Sequence, residues 1–209
     1  MKCVVFDFDG TLADSEGIMI NIYDYFAKKN NRPKLTEEIK QQLRDGTTRQ
    51  AIKWAGVRFW QIPGLLNIAR VEYKKRSTKI KIFPGMESVA KSLSKDYDLY
   101  ILSTNSEKTV RKILKKTGFK PRVTILKGSS IFGKEKALKG LLKNSQYDPK
   151  ASWMIGDEMR DIVAGNKAGL NTVGVTWGLQ SEAGLNFAQP DFITNEPKDI
   201  LNIVRAKQV

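Results

Sequence analysis

Asp7 and Asp9 close the first apolar run of the chain, Val4-Val5-Phe6-Asp7-Phe8-Asp9-Gly10-Thr11-Leu12. The run reads as a short buried strand, because it is apolar, β-branched and bounded by a glycine turn. Residues i and i+2 of a strand point to the same side. Both carboxylates are therefore expected to converge at a strand's carboxyl end, where open α/β sheets form their ligand crevice. Carboxylates brought together repel and are costly to desolvate unless a cation or a shared proton compensates. A divalent metal and carboxylate chemistry answer that cost. A solvated Asp-Gly turn after a core strand is the plainer reading of the same residues.

The composition narrows the chemistry further. The 209 residues include no histidine and one cysteine, Cys3. Ser-His-Asp and Cys-His catalysis, histidine metal sites and an internal disulfide are thereby excluded. Acid–base work near neutral pH falls to carboxylates, Lys, Tyr or Cys. A metal site must be oxygen-rich, which favours Mg²⁺, Ca²⁺ or Mn²⁺ over Zn²⁺. Cys3 lies in the first strand and is expected in the core.

Three more segments carry candidate groups. Thr104-Asn105 ends the apolar run Leu99-Tyr100-Ile101-Leu102-Ser103, Lys134 opens a helical stretch, and Gly156-Asp157-Glu158-Met159-Arg160-Asp161 follows the strand-like Ser152–Ile155. Asp161 stands one helical turn beyond Asp157 and can face the same site. Each segment also has a bland reading. Ser, Thr and Asn are common helix caps, lysine is abundant here, and acids suit a helix N-terminus.

The string Asp7-Phe8-Asp9-Gly10-Thr11-Leu12-Ala13-Asp14-Ser15 resembles the opening motif of the haloacid dehalogenase superfamily of phosphotransferases, and the other three segments resemble its later motifs in the expected order. The resemblance covers nearly the whole chain. It implies that Asp7 is the nucleophile and Asp9 the general acid–base. It also implies a Mg²⁺ held by Asp7, the Asp9 backbone carbonyl and Asp157, with Asp161 in support and Glu158 adjacent. Thr104, or Ser103 if the motif is displaced by one residue, would hold the transferring phosphoryl group together with Asn105. Lys134 would balance the phosphate and Asp7 charges. Dehalogenases and phosphonate-cleaving relatives lack an aspartate at the Asp9 position, which leaves a phosphatase or a phosphomutase. Similar sugar phosphomutases tend to use a cap histidine, so hydrolysis is favoured. The implied function is a Mg²⁺-dependent phosphomonoester hydrolase similar to phosphoglycolate phosphatases, acting through an aspartyl-phosphate on a small anionic phosphometabolite. A sugar phosphomutase of the same fold is the nearest alternative, and a non-catalytic basic nucleic-acid-binding protein is the alternative from another class.

These groups need a scaffold. From about Leu99, strand-like runs (Leu99–Ser103, Arg122–Leu126, Ser152–Ile155, Thr172–Thr176, Asp191–Thr194) alternate with helical patterns (Glu107–Lys116, Lys134–Lys143, Met159–Ala168, Lys198–Arg205). Such alternation predicts a mainly parallel, Rossmann-like sheet covered on both faces. Lys2–Phe8 must join it, since a lone strand cannot stand. Ser15 to Ile82 carries almost no strand signal. Ile18, Ile22, Tyr25 and Phe26 form a helical apolar face, Thr36-Glu37-Glu38 reads as a helix start, Thr47–Trp54 and Leu65–Lys75 look helical, and Pro63-Gly64 interrupts. The expected architecture is an α/β core of residues 1–14 and 83–209 with an inserted helical cap of residues 15–82. Hinges are expected at Ala13–Gly17 and Ile82–Met86.

The span Ser15–Ile82 holds 15 Lys+Arg against 6 Asp+Glu, a net +9 of the chain's +14. The basic residues are dispersed, without a block or aromatic interleaving, so nucleic acid is not the expected partner. An excess of positive charge over a phosphate-handling site suits an anionic metabolite. Within the insertion, the loop Asp45-Gly46-Thr47-Thr48-Arg49 joins two expected helices. Gly46 would permit a tight turn, Thr47 or Thr48 would cap the next helix, and Arg49 could grip a carboxylate or second phosphate on the substrate. No apolar run approaches a membrane span, and Asp7 comes too early for a signal peptide, so the expected compartment is the cytoplasm.

Overall fold

The computed structural model describes residues 1–29, 31, 34–47, 50, 53, 58–128 and 133–207. Its centre is a six-stranded sheet in the order β5-β4-β1-β6-β7-β8, formed by Cys3–Asp7 (β1), Asp98–Ser103 (β4), Thr124–Lys127 (β5), Trp153–Gly156 (β6), Asn171–Val175 (β7) and Phe192–Thr194 (β8). Every pairing in it is parallel. β1 lies between β4 and β6, so the strand order reverses around it. Their carboxyl ends border the crevice that such a reversal creates.

The strand pattern explains the two covering layers. Val4 and Phe6 face one side, where they pack with Ile101, Ile155 and Val173 against the helices Met86–Leu93, Glu107–Thr117 and Asp199–Ala206. Cys3 and Val5 face the other side, with Leu102 and Met154, against the helices Lys134–Ser145 and Met159–Ala168. Asp7 follows Cys3 and Val5 in parity, which directs it toward the layer that begins with Lys134. Cys3 is buried, and burial pushes its thiol up to about 11, in keeping with a core role.

Between β1 and the rest of the sheet, a small antiparallel ladder pairs Ala13–Asp14 (β2) with Lys81–Ile82 (β3). The regular structure described between the two strands is helical: Glu16–Lys29 (α1), Glu37–Asp45 (α2) and Ile62–Arg76 (α3), with short 3₁₀ turns at Phe59–Gln61 and Ser77–Lys79. Thr36 caps α2, its hydroxyl accepting from the Ile39 N–H at 3.2 Å. Three expectations for this segment are corrected. Tyr25 is exposed rather than on the apolar face, because Ile18 and Ala27 are the buried positions among the described residues of α1, and the Phe26 side chain lies outside them. Pro63 and Gly64 do not interrupt: they lie in the first turn of α3, where proline's missing N–H costs no hydrogen bond. Gly46 has an extended backbone (φ −95°, ψ 168°) that any residue could adopt, so its place does not depend on glycine's freedom.

Candidate active site

β1 stops at Asp7, so Asp9 is not a strand residue. The expected i, i+2 alignment fails here, because the chain turns at once. Gly10, at φ +79°, lets the Ala13 N–H reach back to the Phe8 carbonyl at 2.8 Å, and the Gly10 N–H reaches the Ala13 carbonyl at 2.9 Å. The turn gives the two carboxylates different surroundings. Asp7 is buried and ion-paired with Lys134 Nζ at 2.7 Å. Asp9 is half-buried. Its Oδ1 accepts from the Tyr73 hydroxyl at 2.6 Å and its Oδ2 from Asn105 Nδ2 at 2.7 Å.

The first residue of the helix Lys134–Ser145 thus supplies a fully buried ammonium to the floor of the site. Lys134 also pairs with buried Asp161, whose other oxygen accepts from the Glu158 N–H. Burial opposes the charge on Lys134, but Asp161 and Asp7 more than offset it and raise its pKa above the ordinary lysine value. A point charge between two carboxylates is held in this way without bidentate geometry.

Asp157 follows β6 and is buried. Its Oδ1 accepts from the Thr11 hydroxyl and its Oδ2 from the Leu179 N–H, both at 2.8 Å. The backbone closes tightly around it. A Cβ on Gly10 would fall 2.0 Å from Asp157 Oδ2, and one on Gly178 would fall 2.4 Å from the Asp157 Cβ. Carboxylate oxygens of Asp7, Glu158 and Asp161 lie within 4.8 Å of one another. Glu158, which the sequence left at the margin, thus belongs to the same cluster as Asp7 and Asp161.

The electrostatics of this cluster are one-sided. Asp7, Asp9, Asp157, Glu158 and Asp161 outnumber Lys134 and Arg160. Burial first, then the charge of Asp161, pushes Asp7 up to about 7 despite Lys134. Asp157 is raised well above the usual carboxylate range by burial and by Asp7, Glu158 and Asp161. Burial also raises Asp9, against its hydrogen bonds from Tyr73 and Ser15. The uncompensated charge and the all-oxygen donor set fit a hard divalent cation such as Mg²⁺.

Thr104 is exposed just beyond β4, while buried Ser103 ends the strand and its hydroxyl accepts from the Asn105 N–H at 3.1 Å. The helix that follows starts at Glu107, with Ser106 as its cap, not at Asn105. Thr104 and Asn105 therefore stand in the loop before its N-terminus, on the side that favours anions.

Four contributors were not read from the sequence. Tyr73 of α3 holds Asp9, and Thr11 holds Asp157. Arg160 pairs with Glu158 and acts on Asp7 and Asp9 through its charge, while its buried Nε has no partner among the described residues. The loop after β7 is the fourth. Its Leu179 N–H binds Asp157, and the Oε1 of buried Gln180 accepts from the Met159 N–H. Thr11 and Arg160 sit inside motifs already singled out. Tyr73 and Gln180 lie far from them and gave no local signal.

The inserted segment meets the core at this same loop. Arg44 of α2 donates to the Gly178 carbonyl at 2.7 Å and the Thr176 carbonyl at 3.1 Å. Gln180 Nε2 donates to the Gly46 carbonyl at 2.7 Å, and the Ser181 N–H donates to the Arg44 carbonyl at 3.1 Å. Gly46 thus docks onto the core. Thr47 accepts from the Gln50 N–H at 3.2 Å, as expected of a cap. The expected substrate contact Arg49, with Thr48, lies outside the described residues.

Comparison with known proteins agrees with this arrangement. The chain is 32% identical over 206 residues to a phosphoglycolate phosphatase of Synechococcus elongatus, covering 98% of this chain and 97% of that one. It is 25% identical over 218 residues to the pyrophosphatase PpaX of Bacillus velezensis, covering 99% and 98%. The fold matches a predicted phosphatase of Clostridium acetobutylicum with a TM-score of 0.78 at 18% identity, over 98% of both chains. It also matches a haloacid dehalogenase-like family protein of Streptococcus pneumoniae with a TM-score of 0.76 at 24% identity, over 96% and 97%. The model of one family, described as haloacid dehalogenase-like hydrolase, matches residues 4–175. With that match spanning β1 to β7 and every candidate group of the sheet's carboxyl edge, the chain belongs to the haloacid dehalogenase-like hydrolases.

Proposed function

We propose that this protein is a Mg²⁺-dependent phosphomonoester hydrolase that works through an aspartyl-phosphate on Asp7. The observation that carries the reading is the buried Asp7 carboxylate at the end of the central strand, paired at 2.7 Å with Lys134 and crowded by further acids. A small anionic phosphometabolite is the proposed substrate class. The names of the relatives, phosphoglycolate phosphatase and pyrophosphatase, and the net +9 of residues 15–82 support it. Residues 15–82 are proposed as a cap, with 1–14 and 83–209 as the core. The β2–β3 ladder at the neck of the insertion supports that division.

In this mechanism a carboxylate oxygen of Asp7 attacks phosphorus as the bond to the leaving oxygen breaks. Asp9 gives its proton to that leaving oxygen, then takes one from the water that attacks the aspartyl-phosphate. Phosphate and a free Asp7 result. Such acid–base assistance is worth about 10²–10⁴ in rate. Lys134 neutralises part of the charge shared by Asp7 and the phosphoryl oxygens. Thr104 and Asn105, ahead of a helix N-terminus, bind those oxygens. Asp7, the Asp9 backbone carbonyl and Asp157, supported by Asp161 and Glu158, would hold Mg²⁺. The ion would supply charge neutralisation for an anion attacking an anion. Arg49 is proposed to read the substrate's leaving group from the loop after α2.

Phosphate release from 2-phosphoglycolate, pyrophosphate, 4-nitrophenyl phosphate and a sugar 1-phosphate, with Mg²⁺ and with chelator after metal-free preparation, tests the reading. Turnover in Mg²⁺ that chelator removes is the expected result. Full activity in chelator contradicts the metal. Isomerisation of the sugar phosphate without phosphate release makes the protein a mutase.

A further inference from the structure

Asp9 is held on both oxygens by two different parts of the chain, with Ser15 adding a further hydrogen bond. Asn105, from the loop after β4, donates to Oδ2 at 2.7 Å. Tyr73, from the inserted helix α3, donates to Oδ1 at 2.6 Å. The Tyr73 ring belongs to the main hydrophobic cluster and is buried, while Val71, Lys74 and Lys75 beside it are exposed. The phenol is therefore anchored by packing, and its hydroxyl is fixed in space. Burial and the neighbouring Asp9 charge hold its pKa well above the ordinary tyrosine value, so it remains a donor throughout the neutral range. A carboxyl group that receives a donor on each oxygen has little rotational freedom about its last bond.

We propose that Tyr73 is the positioning residue of Asp9: the inserted helix supplies the hydroxyl that orients the carboxyl toward the leaving oxygen. The proposal rests on the acid–base role given to Asp9 above. Tyr73 keeps its own proton throughout, since the proton delivered to the leaving group comes from Asp9 and returns to it from water. Misorientation of an acid weakens its proton transfer without changing how the substrate binds. In the step that breaks the ester bond the loss is largest where the leaving oxygen most needs a proton, and kcat/KM reports that step apart from the later hydrolysis of the aspartyl-phosphate, which is common to all substrates. An alkyl phosphate expels a basic alkoxide and depends on the acid, whereas 4-nitrophenyl phosphate expels a weakly basic phenolate and hardly does.

The test is steady-state kinetics in excess Mg²⁺ on wild type, Tyr73→Phe, Asp9→Asn and the double variant, with 4-nitrophenyl phosphate and the best alkyl phosphate from the panel. Tyr73→Phe should lower kcat/KM for the alkyl ester by about 10-fold or more, a part of the roughly 10²–10⁴ that an acid contributes. It should lower kcat/KM for the aryl ester by less than about 3-fold. The ratio of the two kcat/KM values is independent of the fraction of folded enzyme, so partial misfolding cannot imitate the result. In the Asp9→Asn background the same substitution should change kcat/KM for the alkyl ester by less than about 2-fold, because a residue acting through Asp9 has nothing left to position. Equal losses of kcat/KM on both esters, an unchanged or increased kcat/KM for the alkyl ester, or a full further loss in the Asp9→Asn background would each overturn the proposal and leave the hydrolase reading standing. Wild type that releases phosphate from neither ester overturns the hydrolase reading itself, and this proposal with it.

Discussion

The carboxyl edge of the sheet and the underside of the inserted helices meet at one crevice, but they are held by different physics. At the sheet edge, buried charges balance one another: Asp7 and Asp161 share Lys134, and Asp157 is locked by Thr11 and Leu179. Removing one partner there leaves an uncompensated buried charge. On the insertion side the contacts are hydrogen bonds to backbone carbonyls, Arg44 to Thr176 and Gly178 and Gln180 to Gly46, together with the Tyr73–Asp9 bond. Arg44 is half-buried, so water can replace what it gives up. The contrast fits the proposed roles, charge handling at the sheet edge and orientation by the insertion. One residue bridges the two regimes. Gln180 holds Gly46 of the insertion with one end of its amide and Met159, next to the acid cluster, with the other.

The contrast can be broken most sharply at Asp7. Asp7→Asn keeps the shape and removes the attacking anion, so turnover should fall by well over about 100-fold, as when one member of a catalytic unit is lost. Thermal unfolding should show the fold intact. Retention of more than about a hundredth of wild-type activity removes Asp7 as nucleophile.

Asp157→Ala should act chiefly through the metal. Mg²⁺ affinity, measured by titration calorimetry, is expected to fall by about 10–100-fold, with activity partly restored at high Mg²⁺. Unchanged Mg²⁺ affinity would shift the metal site toward Glu158 and Asp161.

Arg49→Lys is expected to lower kcat/KM for the preferred anionic substrate by about 1.5–3 kcal/mol, the worth of a charge-assisted contact. An aryl phosphate should be nearly unaffected. Equal effects on both substrates, or on neither, return the loop to a plain interhelical connection.

The charge imbalance at the sheet edge predicts a pH dependence. With its pKa at about 7, above that of an unfolded aspartate, Asp7 stays protonated in the folded chain across a window where the unfolded chain has released its proton. The unfolded state binds fewer protons there, so stability in chelator should fall as pH rises from about 4 to about 7, and the raised Asp157 and Asp9 act in the same direction. Mg²⁺ replaces the missing charge, so its stabilising effect should be larger at about pH 7.5 than at about pH 5. An equal Mg²⁺ shift in melting temperature at both values would refute the charge-balance account.

The smallest effect is expected on the insertion side. Arg44→Met forfeits two hydrogen bonds, to the carbonyls of half-buried Thr176 and buried Gly178, which costs about 1–3 kcal/mol. It should raise KM several-fold with kcat little changed. A collapse of kcat as deep as that of Asp7→Asn would erase the distinction between the two regions.

The strands and helices from Leu99 onward were legible because each pattern is local: apolar runs of strand length alternating with helical periodicity. The expected helix Met159–Ala168 is observed at the same bounds. Within the insertion, the Thr36 cap was readable because its hydroxyl acts three residues away. Tyr25 was misread because a single apolar stripe does not say which of its members the neighbouring helix covers. Asp9 was assigned to a strand because the i, i+2 rule assumes that the strand continues, whereas Gly10 turns the chain.

By itself the sequence determined the chemical types available to the protein: carboxylates and lysine in place of histidine, the four ordered segments that carry them, and an α/β sheet whose strand ends they occupy. Those features depend on residue type and near-neighbour spacing. Only the tertiary structure decided that Tyr73 and Asn105 hold the two oxygens of Asp9, that Arg160 enters the acid cluster, and that Gln180 joins the insertion to the loop around Asp157. Those partners are 64, 96 and 134 residues apart in three of these contacts. No local periodicity encodes such a meeting, which comes about only when the sheet, its covering helices and the insertion pack together.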